Sequence, residues 1–140
     1  MGAWGINNFE NDDASDWVYE LESSKDKSVI HKALNTVIEN TEYIESPECS
    51  EALAAAEVVL SGITNDHSNV SEEVSKWLSK KPGLFKKQIT FDSSDVKMAI
   101  KAVSKIVASS ELKELWEETE EYDTWKNIEN NLVEKLSKHA

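Results

Sequence analysis

From Ala14 onward, apolar residues recur three and four positions apart, and alternation with period two is almost absent. That spacing gathers apolar side chains on one side of a 3.6-residue helix, so the pattern predicts an all-α fold. The first helix should begin in Asn11-Asp12-Asp13, where acidic side chains suit the unpaired N–H groups and positive end of a helix. Its buried face should carry Ala14, Trp17, Val18 and Leu21. A second helix, roughly Asp26 to Glu42, shows a regular stripe of Val29, Ile30, Ala33, Leu34, Val37 and Ile38. Ser46-Pro47-Glu48 reads as the next helix start, with Ser46 as cap and Pro47 in the first turn, where its missing N–H carries no penalty. This third helix should run to about Ile63. Because Ala52 to Leu60 is apolar around most of its circumference, it is expected to be the central one. Gly62 is the expected terminator, followed by a loop at Asn65-Asp66-His67.

A shorter helix should align Val70, Val74, Trp77 and Leu78 and stop before Pro82-Gly83. Leu84 to Phe91 is the one place for a short extended segment, and Asp92 with Asp95 forms a capping-box pattern ahead of Val96, Ala99, Ile100, Val103, Ile106 and Val107. Ser110 to His139 resembles one long helix. At 100° per residue, however, Leu112, Leu115 and Trp116 fall about half a turn from Trp125, Ile128, Leu132 and Leu136. One straight helix cannot bury both sets, so a break is expected near Tyr122-Asp123-Thr124, with Asp123 capping the last helix. The result is a compact single-domain bundle of about six or seven helices over residues 1–140, without internal repeat or low-complexity linker.

Charge narrows the partners of such a bundle. The 140 residues carry 27 Asp plus Glu against 15 positive side chains, a net charge of −12, and every one of the positive residues is lysine. Without arginine forks, and with a repulsive field, nucleic-acid binding is disfavoured; the only tight lysine group is Lys80, Lys81, Lys86 and Lys87. A single cysteine, Cys49, excludes an intramolecular disulfide, which makes a reducing cytoplasm the simplest compartment. No apolar run is long enough to span a bilayer, and the start lacks the pattern of an export signal. Gly2 does not complete a myristoylation signal, because Ile6 stands where Ser or Thr is required.

Candidate chemistry is sparse. Glu10, Asp12, Asp13, Asp16 and Glu20 form an acidic N-terminal cluster, but Glu10 to Glu22 contains no glycine for a calcium loop; Asp12 and Asp16, one turn apart, could hold magnesium. Helix capping and solvation account for the same cluster. His31, His67 and His139 show no metal-ligand spacing, and nothing in the sequence pairs His31 with Cys49 as base and nucleophile. Trp17, Trp77, Trp116 and Trp125 sit in helical apolar stripes and should be core, whereas Trp4, near two glycines, is expected to anchor the N-terminal segment across the bundle. The densest charge is Glu111, Glu114, Glu117, Glu118, Glu120, Glu121 and Asp123, opposed locally only by Lys113. Such a face can simply be solvated, or it can attract a basic protein.

The opening Met1-Gly2-Ala3-Trp4-Gly5, followed by Asn8-Phe9-Glu10-Asn11-Asp12-Asp13-Ala14 and Asp16-Trp17, resembles the start of the domain-of-unknown-function 4259 family. Glu51 to Val59 is similar to that family's central helix, and Ser110 to Trp116 with Trp125 to its C-terminal pattern. The resemblance implies a small bacterial helical protein and supplies no catalytic residue and no cofactor. Size and charge are those of immunity proteins that neutralise bacterial toxins. The expectation is therefore a non-enzymatic protein that binds a partner, such as a basic nuclease toxin domain, through the seven acidic tail residues. The rivals are a small enzyme or metal-binding protein using Asp12, Asp13 and Asp16, and a cytoplasmic adaptor with an exposed apolar groove. Oligomeric state is not legible from apolar stripes, which can close within one chain or between two.

Overall fold

Most helix starts are explained by what satisfies their free N–H groups. The structure, a computed structural model, describes residues 3–80 and 89–140. Among them are seven helices, α1 (Asp12–Glu22), α2 (Ser28–Ile38), α3 (Ser46–Thr64), α4 (Glu72–Ser79), α5 (Ser93–Ala108), α6 (Glu111–Glu117) and α7 (Tyr122–Ser137), and no sheet. Asn11, Ser71 and Ser110 cap α1, α4 and α6 through their side chains, and Asp92 with Asp95 forms the reciprocal box that opens α5. The start of α3 differs from the sequence expectation. Ser46 is already helical and caps nothing; its N–H instead donates to Glu111 Oε1 at 2.8 Å, while the Glu111 N–H donates to the Ile44 carbonyl at 2.9 Å. A carboxylate from α6 thus serves the positive end of a helix distant in sequence.

The central position of α3 is borne out. It packs against α1, α2, α5, α6 and α7, and its residues from Ala52 to Ser61 are all buried. The α1 face of Ala14, Trp17, Val18 and Leu21 is buried as its spacing requires, and one apolar core draws residues from all seven helices. The second helix is shorter than the expected Asp26 to Glu42 but contains the whole apolar stripe, of which Val29 and Ile38 at the margins are only partly covered. Gly62 does not end α3. It lies inside the helix, where any Cβ would overlap the Phe91 ring, and the chain turns at Asn65, whose positive φ of 62° reverses the backbone.

The tail breaks between Glu117 and Tyr122, slightly earlier than expected, and Asp123 sits in the first turn of α7 rather than at its cap. Leu112 and Trp116 are buried from α6; Trp125, Leu132 and Leu136 are buried from α7. Pro82-Gly83, Lys81, Lys86 and Lys87 lie outside the described residues, as does most of the expected extended segment Leu84 to Phe91. Its described end, from Ile89, is irregular.

Candidate functional site

The first segment of the chain is built as a closed hook. Ala3 pairs with Asn11 in an isolated antiparallel bridge, Trp4 and Gly5 donate to the Glu10 carbonyl, and the Asn7 N–H donates to Glu10 Oε1 at 3.2 Å. The Glu10 carboxylate packs directly over Gly5, where a Cβ would displace it from the Asn7 N–H. The closed loop presents Ile6 and Phe9 to the core and buries Asn8. Trp4 does not anchor it: this side chain is 62 % exposed, and Asn8 is the residue that ties the hook to the bundle.

Asn8 Nδ2 donates to Glu57 Oε1 at 3.2 Å and to Glu129 Oε1 at 2.8 Å, joining the hook to α3 and α7. Glu57 is 6 % exposed and Glu129 fully buried, and the second oxygen of each carboxyl has no hydrogen-bond partner. Two carboxyls with two donor hydrogens between them cannot both carry charge cheaply in an apolar interior. Burial pushes the Glu57 carboxyl up to about 7, against the opposing pull of Asn8 and Lys135. Burial and the adjacent Glu57 charge push Glu129 up to about 8. Glu57 also borders an open cleft of about 320 Å³, walled by Asn8 and Phe9 of the hook, Asn69 of the α3–α4 loop, and Asn131 and Lys135 of α7.

Sequence reasoning missed this cluster, although both acids left a trace. Glu57 is the one charged residue in the run Ala52 to Leu60. Glu129 stands four after Trp125 and three before Leu132, inside the apolar stripe of α7. Nothing in either stripe announces that the two acids face each other, because the contact joins residues 72 positions apart through a loop side chain.

The acidic tail residues are divided by the fold. Glu111 is half-buried at the start of α3, Glu114 accepts a hydrogen bond from the Tyr43 hydroxyl, and Glu117 is paired with Lys113 at 2.7 Å. Glu118, Glu120, Glu121 and Asp123 are exposed around the α6–α7 turn and have no ion-pair partner among the described residues. Ala3 and Gly5 of the hook share a small pocket with Leu112, Trp116 and Trp125, which sets the hook beside α6 and the start of α7.

At the N-terminal cluster, Asp12, Asp16 and Glu20 are exposed along α1. No group of three or more His, Cys, Asp or Glu side chains among the described residues is placed to hold a metal ion. His31 pairs with Asp95 at 2.7 Å rather than with Cys49, and Lys27 takes the other Asp95 oxygen at 2.7 Å. Although burial works against it, these bonds and one from the Asp92 backbone hold Asp95 below the usual carboxylate range. Cys49 is fully buried, which pushes its thiol up to about 11 and leaves it a core residue without thiolate character at neutral pH.

A family model described as Domain of unknown function (DUF4259) matches residues 2–128, a span that holds the hook, Asn8 and Glu57 and ends one residue before Glu129. Among curated proteins and solved structures, none matches the chain.

Proposed function

The chain belongs to the DUF4259 family, and we propose that it is a non-enzymatic protein-binding protein, of the immunity type, that neutralises a basic bacterial toxin domain by docking it on the α6–α7 corner. The observation that carries this reading is the set of four exposed carboxylates, Glu118, Glu120, Glu121 and Asp123, without an ion-pair partner among the described residues, around one turn of a chain with net charge −12. Such a corner draws a cationic surface from a distance and orients it before contact. Trp4, exposed on a hook that is closed by its own backbone bonds and lines a pocket with Leu112, Trp116 and Trp125, provides a large rigid surface of the type that dominates interface energies.

Glu114 and Glu117, also exposed, flank the corner, whereas Glu111 is committed to the start of α3. An adaptor would need a contiguous apolar groove, and the large exposed hydrophobic residues among those described are Trp4, Tyr19 and Tyr43, on three different elements. Co-expression of the protein with the products of its neighbouring genes tests the reading. A basic toxin domain should co-purify and lose its toxicity; absence of a tight complex with any of them overturns the proposal.

A further inference from the structure

An amide nitrogen has two hydrogens, and Asn8 gives one to each of two buried carboxyls. Both accepting oxygens lie within 3.2 Å of that nitrogen, so they are at most about 6 Å apart, close enough for like charges to repel strongly. The other two oxygens, Glu57 Oε2 and Glu129 Oε2, are sealed from solvent without a donor. Apart from the bonds by which Asn11 caps α1, every other polar bond of the hook among the described residues is internal to it, so the hook can swing about that cap by giving up Asn8 and the packing of Ile6 and Phe9.

We infer that Asn8, Glu57 and Glu129 form a proton-controlled latch: a carboxyl proton keeps the hook of residues 3–11 seated on α3 and α7, and its loss frees the hook and opens the adjoining cleft. A proton on either Oε2 removes one of two facing charges. With both carboxyls ionised, repulsion and lost hydration favour the state in which water enters, which is the open hook.

The surrounding charges do not supply a substitute for the proton. From α7, Lys135 lowers the cost of the Glu57 charge, but Glu129 gains no cation. From the hook, Glu10 is turned back on the Asn7 N–H. The α3–α4 loop contributes uncharged Ser68, Asn69 and Ser71 to the cleft, while its Asp66, with Lys138 and His139, lines a second pocket that Glu57 and Lys135 also border, without a bond to either Glu57 oxygen, and His67 bonds Ser75. On α5 the buried acid, Asp95, is tied to Lys27 and His31, and α1, α2 and α6 bury only apolar side chains toward the core.

The latch is read directly by NMR, as solvent exchange of the Asn8 side-chain amide protons, normalised to the intrinsic rate at each pH. Protection should fall at least tenfold between pH 6 and pH 9 in the full chain. In E57Q/E129Q, where glutamines mimic the protonated carboxyls, it should stay high throughout. Protection that is constant in the parent chain, or that falls equally in the double variant, overturns the latch. The single variant E57Q adds a check that does not need the double variant to fold: with a neutral amide in place of one carboxyl only a single charge can form, so protection should stay high to pH 9, and a fall as large as in the parent chain contradicts a shared-proton mechanism. The outcome is independent of whether a toxin partner exists.

Discussion

Raising the pH from 5.5 to 8.5 should destabilise this protein. In the unfolded chain a glutamate carboxyl titrates near 4.5, whereas burial raises Glu57 to about 7 and Glu129 to about 8. The folded state therefore binds more protons than the unfolded state from roughly 4.5 to 8, and unfolding free energy must fall as pH rises through that window. Each pH unit over which one extra proton is held is worth about 1.4 kcal/mol. One proton kept from pH 5.5 to about 7 or 8 thus amounts to on the order of 2 to 3 kcal/mol, and the second proton adds to it. None of the other shifted groups opposes the trend in this range. Asp26, Asp66 and Asp95 are lowered and act at acid pH, Cys49 at about 11 and Tyr43 at about 12 act in alkali, and Glu51, raised by burial and by Glu20 and Asp13, acts in the same direction. Urea unfolding followed by tryptophan fluorescence at pH 5.5, 7.0 and 8.5 gives the slope, and E57Q/E129Q should flatten it. A parent stability that is level or rises across the range, or an unchanged slope in the double variant, refutes the assignment of buried protonated carboxyls.

Three further substitutions separate the parts of the structure. Asn8→Ala removes the one donor that both carboxyls have among the described residues and should cost about 2 to 4 kcal/mol in urea unfolding, with faster proteolysis inside residues 3–11. Glu111→Ala withdraws the carboxylate from the Ser46 N–H and should cost about 1 kcal/mol of thermal stability. Gly62→Ala forces the Phe91 ring off α3 and should cost about 1 to 3 kcal/mol, where an ordinary exposed helix site would gain stability from the same change.

The helices were legible because their information is local. The 3.6-residue spacing of Ala14, Trp17, Val18 and Leu21, the Asp92–Asp95 box and the change of apolar face between Trp116 and Trp125 each report on neighbours a few positions away. What sequence concealed was settled by tertiary contacts. Ser46 looked like a cap until Glu111 arrived from α6, and Gly62 looked like a terminator because glycine's second use, close approach of another side chain, leaves the same mark. The Asn8–Glu57–Glu129 cluster was hidden for a related reason, since an acid within an apolar stripe shows only that something unusual faces it. The acidic tail was visible as composition, but its division into engaged and free carboxylates depended on where Ser46, Tyr43 and Lys113 came to rest.

The claim that the α6–α7 corner docks a basic protein is tested most directly by calorimetric titration of a co-encoded basic partner at low and high salt. The parent chain should bind with an affinity that drops at least tenfold from 50 to 500 mM salt. The variant E118K/E120K/E121K/D123K, folded by circular dichroism, should bind at least a hundredfold more weakly and lose most of that salt dependence. Equal affinity and equal salt dependence in the two proteins would contradict the account.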